Sequence, residues 1–365
     1  MGKFERAFKR LRDPRAENAQ HELLDVLFIA LAATLCGAQG ASDMARFGHA
    51  KEALLRSVLR LEHGIPSHDT FSRVFRVLDP QAFEREFRRF TEAFAKANRL
   101  SLKGVVAIDG KSLRRAYERG KSATPMHLVN AFAAQARMAL ASRKAPNRNE
   151  TAAALEVLSM LCLEGSIVTA DALFCSRPFA ARVLERGGNY VLALKGNQSK
   201  VFAAVVRRFA RGGPNSTAQR QELSSHDRRE WRRASVIRDK TLAKDFPGVA
   251  ALAQITSRRR VGGAKAEPLL TRYYLLSKYL SATRLLQVVR SHWAIENQLH
   301  WMLDVAFNED GDRARKDNAP ENLAILRKLA LNILRAHPAK FSIRQKIKSA
   351  GWDDAFLLSL LSHMQ

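Results

Sequence analysis

The chain has 365 residues, 46% of them apolar, which is enough to bury a sizeable core in two or three domains. Lys and Arg total 61 against 35 Asp and Glu, a formal net charge of +26, so a polyanion is the expected partner and nucleic acid the first candidate. The longest apolar run, Val26 to Ala38, is about thirteen residues where a bilayer span takes roughly 20, and the N-terminus has no signal-like apolar core; Cys36, Cys162 and Cys175 lack the paired spacing of a disulfide framework or zinc ribbon.

Residues 1 to about 97 read as helical. "HELLDVLFIALAATLCGA" ends at Gly37, and Phe71, Val74, Phe75 and Leu78 recur at helical spacing behind Ser67, an expected N-cap. A basic helix follows, with Arg85, Arg88 and Arg89 on or near one face, either solvated or facing DNA. From Lys103 the texture becomes α/β. "KGVVAID", "SIVTADAL" and "NYVLALKG" are short buried strands, "HLVNAFAA" and "RMALASRK" pair with the first, and helices over "ETAAALEVLSMLCLEG" and "RPFAARVLERGG" separate them. Two strand-helix-strand units in succession predict a partly parallel sheet covered on both faces. Residues 205–279, rich in Arg, Ser and Gly, read as an inserted, mainly β subdomain, and helices return from Ala282.

Two of the buried strands end in an acid, Asp109 and Asp171. An isolated buried carboxylate is costly, so each needs a cap or a shared cation, and ligands of open α/β sheets gather outside such strand ends. Two Asp on neighbouring strands suit Mg²⁺, and a third acid would complete a phosphodiester site. The stretch "RSHWAIENQLHWMLDVAFNED" is the source of that acid. At about 100° per residue Glu296 shares a face with Val289, His292, His300, Leu303 and Phe307, while Asp304 lies about 12 Å and Asp310 about 21 Å further along the axis. Glu309 and Asp310 fall in a polar segment where solvated or Arg-paired acids are expected. A rival set, His292, Glu296 and His300 at i, i+4 and i+8, would hold zinc instead; a structural Glu between packing His-Trp pairs is the other alternative.

Several longer motifs are specific: "DPR" at 13–15, "CGA" at 36–38, "GIPSHDTFSRVF" at 64–75, "AIDGKSLR" at 107–114, "VTADA" at 168–172, "YVLALKGNQ" at 190–198 and "HWAIENQLHWMLDVAFNED" at 292–310. By these the chain resembles DDE-type transposases of bacterial insertion sequences, in particular the H-repeat-associated group. The resemblance implies an RNase H-like catalytic core over 98–340, an N-terminal helical domain over 1–97 that binds DNA, a β-rich insertion before the last catalytic helix, and a helical tail over 341–365. It maps the acid triad onto Asp109, Asp171 and Glu296, holding Mg²⁺ with Mn²⁺ as a substitute. It further implies cleavage at the terminal inverted repeats of an element and transfer of the 3′ hydroxyl to target DNA. A homodimer or larger synaptic complex is expected, in the bacterial cytoplasm and without a membrane. Phosphate contacts are expected from Lys111, Lys195, Asn197 and Gln198 near the strand ends, from Arg228, Arg229, Arg232 and Arg233 in the insertion, and from His292, which stands where relatives carry Arg. Trp293 and Trp301 either stack on a displaced base or pack in the core. This chain departs from the group at Ser176, where Gln is expected, and at Asp227, where Gly is expected; Val289 and Leu303 replace a Tyr and a Lys. A nuclease without strand transfer and an inactive DNA-binding relic are the alternatives.

Overall fold

In the computed structural model, residues 2–117, 124–224, 228–262 and 266–362 are described. The N-terminal third is helical: α1 (Gly2–Phe8), α2 (Leu23–Leu35), α3 (Ala41–Ala50), α4 (Glu52–Arg56), α5 (His68–Val77) and α6 (Pro80–Ala97). Local signals set the boundaries. Gly37, with φ +97°, stops α2 because a left-handed residue cannot continue the helix. Ser67 caps α5 by accepting from Thr70 N (3.3 Å), and Asp79 caps α6 ahead of Pro80. On the basic face of α6, Arg88 pairs with the buried Glu84 (3.1 Å) and donates to Met160 O (2.8 Å), while Arg89 (2.7 Å) and Arg85 (3.7 Å) lie against Glu86 and stay about half exposed.

The α/β part begins with β1 (Val105–Leu113), β2 (Met126–Ala133) and β3 (Met138–Lys144), an antiparallel meander. Next come α7 (Glu150–Ser159), β4 (Ile167–Ala170), α8 (Arg177–Glu185) and β5 (Asn189–Leu194), with β4 parallel to β1 and β5 parallel to β4. The order β3-β2-β1-β4-β5, with only β2 reversed against its neighbours in the core, is the RNase H-like arrangement. After α9 (Ser199–Ala210) the β-rich insertion supplies β6 (Ser216–Ser224), β7 (Arg228–Arg238), β8 (Ala251–Val261) and β9 (Leu270–Leu276). These strands do not form a sheet of their own. β9 pairs antiparallel with β5, and β8, β7 and β6 follow, so nine strands make one sheet.

Strand alternation sorts the two faces. Val106 and Ile108 of β1 point into the core beneath α7 and α8, whereas Ala107 points into a second core. Asp109 and Lys111 follow Ala107 at period two and so share its face. That second core is built by α1 to α6 together with α11 (Trp301–Phe307), α12 (Ala319–Ala336), α13 (Ile343–Trp352) and α14 (Asp354–Ser362). The expected divisions at 97 and 340 therefore mark changes along the chain, not separate cores. α10 (Ala282–His292) crosses β1, β4, β6 and β7 on the same side of the sheet.

The helix α12 is the spine of this core. Asn322 donates to Phe75 O and Leu78 O (both 2.9 Å), and Asn332 bonds both backbone groups of Ala139, accepting from N and donating to O (2.9 Å each). The second pair closes the exposed side of the edge strand β3. Asn332→Leu keeps the volume and orphans two buried backbone groups, so it is expected to lower stability by about 2–3 kcal/mol in urea unfolding. A loss under about 0.5 kcal/mol would refute this account of the edge.

Candidate active site at the ends of two parallel strands

Asp109 sits in β1 directly across from Asn130 of β2, one residue beyond the last parallel pair of β1 and β4. Asp171 follows β4 immediately. Beside the acid, Gly110 leaves room for the Glu150 carboxylate, which would stand 2.4 Å from a Cβ there and which lies 2.9 Å from His127. The third acid arrives differently from the single regular helix expected. α10 stops at His292, a π-helical segment runs from Ile295 to His300, and α11 continues. The Trp301 N–H bonds Glu296 O, five residues back, so the wider turn falls on the acid itself. Such π turns recur at functional sites because they reset the direction of one side chain while the flanking face stays packed. Here Ile295, Leu299, Leu303 and Phe307 remain buried, and Glu296 is held at the mouth, about half exposed.

The segment spans the strand ends. His292 reaches β4, where Thr169 Oγ1 lies 3.1 Å from Nδ1, and its Nε2 faces Asp171 (3.5 Å). Glu296 meets Asp109, and His300 reaches β2, where Asn130 Nδ2 donates to Nε2 (3.3 Å). Donor atoms of Asp109, Glu296 and His300 all lie within 4.8 Å of one another. Asp171 is outside that group, a largely exposed carboxylate turned towards His292, although its charge raises Asp109 and it feels the charge of Glu296 in turn. The zinc set read from helical spacing is thus divided, with His300 on Asp109 and Glu296 and His292 on Asp171.

Electrostatics follow from this layout. Burial pushes the Asp109 carboxyl up to about 8, and Glu296, hydrogen-bonded to it, adds to the shift. Glu296 moves the other way, held down chiefly by His300. Asp171 is also held low, first by its hydrogen bond with His292 and then, against its own burial, by the charges of His292 and Lys195. Asp109 is thus pushed towards its protonated form and Glu296 towards carboxylate, and the two hydrogen-bond each other.

Among the expected phosphate contacts, Lys111 is placed otherwise. Its side chain is buried, with the ammonium at 2.6 and 2.8 Å from Asp304 and at 3.5 and 3.8 Å from Asp310 and Glu309. Of the two acids read as solvated or Arg-paired, Asp310 meets Arg114 (3.1 Å), whereas Glu309 is 2% exposed, and behind it lies the fully buried Lys328, pushed down to about 8 by desolvation. The sequence pattern missed this because "NEDGDRARKDN" looks like a polar loop, whereas its acids face cations from β1 and α12. Lys195 is exposed, Gln198 partly so, and Asn197 Nδ2 donates to Ala172 O (2.7 Å), tying the loop after β5 to the one carrying Asp171. In β7, Arg233 is exposed and Arg232 forks onto Glu230 (3.0 and 2.8 Å). Arg229 lies in the same strand, and Asp227 and the side chain of Arg228 lie outside the described residues. Ser176 caps α8 by accepting from Phe179 N, which gives that departure a local role. Trp293 and Trp301 are both about half exposed, so neither is core. Trp293 lines a cleft of about 890 Å³ on the back of the π segment, away from the acids.

The Transposase DDE domain family matches residues 100–333 and the DDE_Tnp_1-associated family residues 5–91. The chain is 32% identical over 359 residues to "Putative protein YbfL" of Escherichia coli K12, covering 95% of this chain and 94% of that one. It is 32% identical over 354 residues to "H repeat-associated putative transposase YhhI" of the same strain, covering 94% and 93%. A piggyBac transposase synaptic complex with hairpin DNA is similar at a TM-score of 0.44 and 13% identity, over 99% of this chain and 77% of that one, too loose a likeness to carry weight. No helix among the described residues is long and apolar enough to cross a membrane.

Two predictions follow from the charge layout. An acid whose folded pKa lies above its unfolded value near 4 costs nothing below that value, and its cost grows as pH rises towards about 8. Asp109→Asn should therefore raise Tm by several degrees in EDTA at pH 8.5 and hardly at all at pH 5, read by thermal unfolding. Separately, Lys111→Met takes from the partly buried Asp304 its cation and leaves Glu309 with Lys328 alone, so a loss of about 3 kcal/mol is expected at pH 7.5. A Lys111→Met protein of unchanged stability but weakened DNA binding would restore the phosphate role.

Proposed function

Because the chain belongs to the Transposase DDE domain family, we propose that it is a DNA transposase that cuts at the ends of its own element and joins them to target DNA. The observation that carries this reading is the meeting of Asp109 and Glu296 on one sheet edge with Asp171 beside them, in a protein of net charge +26. The carboxylate set fits hard divalent cations: the oxygens are close enough to share a proton, and a hard cation prefers such ligands. Asp109, Asp171 and Glu296 would hold Mg²⁺, or Mn²⁺ in its place, which when bound supplies charge stabilisation at phosphorus and a more acidic attacking water.

The chain's own residues do the rest. His292 fixes Asp171 through Nε2 while Thr169 occupies Nδ1, so this acid keeps its charge and direction. In the first step a water oxygen bonds to phosphorus and the 3′ oxygen leaves with a proton. In the second, that 3′ hydroxyl attacks a target phosphodiester and the target's own 3′ oxygen leaves, so one site handles two nucleophiles in line. Lys195 and Gln198 beside Asp171, with Arg229 and Arg233 of the insertion, track the backbone of the duplex. Arg228 is assigned to the same stripe, while Arg232, held by Glu230, and Asn197, held by Ala172, shape it. His292 is assigned to Asp171 rather than to phosphate, since both ring nitrogens are engaged. Joining two ends calls for a homodimer or larger synaptic complex.

The test is a duplex carrying the inverted repeat that flanks the gene, incubated with protein and Mg²⁺. Cleavage exposing a 3′ hydroxyl and its joining to plasmid are expected, with Asp109→Ala, Asp171→Ala and Glu296→Ala each slower by at least about 10³-fold. Cleavage that survives Asp109→Ala removes the three-acid reading. Cleavage without joining of pre-cut ends leaves a nuclease.

A further inference from the structure

His300 is one of the few polar residues sealed in the core, 4% exposed, and both ring nitrogens face built surroundings. Nδ1 looks out at the acids, 3.5 Å from Glu296 Oε2 and 3.8 Å from Asp109 Oδ2. Nε2 looks inward to Asn130 (3.3 Å), which is 1% exposed and sits across the sheet from Asp109. The outward separations are long for a charge-assisted hydrogen bond, which runs to about 2.7–2.9 Å. They are close to what two donors show when each lies about 2.1–2.2 Å from one ion, roughly 3–4 Å apart.

The Asn130 amide strengthens the case. As placed, its Nδ2 donates to Nε2, which leaves the ring proton on Nδ1, directed at the carboxylates. Its Oδ1 is buried without a hydrogen-bond partner. Turning the amide over would therefore sacrifice no bond. Oδ1 would then accept from Nε2–H, and the Nδ1 lone pair would be freed towards Asp109 and Glu296. A ring that donates one N–H to a carbonyl oxygen and offers its other nitrogen outward is the arrangement that supports metal-ligating histidines.

We propose that His300 Nδ1 is a protein nitrogen ligand to the divalent ion shared by Asp109 and Glu296, with Asn130 as the positioning residue that sets its tautomer. The inference rests on the assignment of those acids as a metal site. Its consequence is selectivity: an imidazole donor favours Mn²⁺ over Mg²⁺ more than an all-carboxylate set does.

The experiment is pulsed electron paramagnetic resonance on full-length protein titrated with Mn²⁺ alone. Nitrogen modulation from a directly bound ¹⁴N is expected in the unsubstituted protein and in His292→Gln, and its loss in His300→Gln. His300→Gln should also weaken Mn²⁺ binding about tenfold by calorimetry while changing Mg²⁺ binding less, and Asn130→Leu should weaken Mn²⁺ binding by about 10–100-fold with the nitrogen signal kept. Mn²⁺ that binds in an Asp109-dependent manner with no nitrogen signal, or with a signal that vanishes in His292→Gln and persists in His300→Gln, overturns the role of His300 and leaves the acid site standing. Mn²⁺ that fails to bind, or binds as well to Asp109→Asn, overturns the acid site and this inference with it. Should His300→Gln not fold, the unsubstituted and His292→Gln spectra decide.

Discussion

The structure is organised around one electrostatic cost, two carboxylates of distant sequence origin held against each other on one face of the sheet, where β4 ends beside β1. Asp109 and Glu296 repel when both are ionised, and desolvation makes the repulsion worse. Left alone, such a pair would push the helix carrying Glu296 off the strand carrying Asp109. What keeps them together is packing from the same helical segment: Ile295, Leu299, Leu303 and Phe307 are all buried against the helical core. The apolar face holds the acid where its charge resists being, an opposition that a bound cation would relieve.

A second set of charges does the anchoring two residues along β1. Lys111, on the same strand face as Asp109, binds Asp304 on the helix that follows Glu296, with Glu309 and Asp310 close behind. Strand and helix therefore meet twice, through the hydrogen-bonded acids Asp109 and Glu296 and through the ion pair of Lys111 with Asp304. Arg327 on α12 extends the network to Asp312 at 2.5 Å. Removing the cations from this cluster would leave Glu309 buried without compensation, the one residue of "NEDGDRARK" that is fully interior.

Much of this was legible before any coordinates, and the reasons are physical. Asp109 and Asp171 stand out because an acid at the end of a four-residue apolar strand is costly without a partner, and Glu296 because helical spacing isolates it from Asp304 and Asp310. Ser67 and Gly37 mark their helix ends by chemistry that does not depend on the rest of the fold. Other features needed the tertiary context. That β6 to β9 would lengthen the catalytic sheet is invisible to local periodicity, because an inserted sheet and an extension alternate alike. The burial of Glu309 and Lys328 is hidden for the same reason that charges usually mark surface: each is interior only because the other is. The π turn at Glu296 leaves no trace in hydrophobic spacing, and Asn130, one polar residue in "HLVNAFAA", becomes conspicuous only opposite Asp109.

The spine helix α12 has a consequence at the level of the gene. All three acids are encoded upstream of Ala319, so a copy interrupted there would retain every residue assigned to chemistry. It would nonetheless lack the helix that holds Phe75, Leu78 and Ala139 by their backbones and the surface on which α1 to α6 close their core. Decay of such an element is thus set by architecture as much as by the loss of an acid. A reading frame broken near its end would keep all three acids and lose the surface on which the helical core closes.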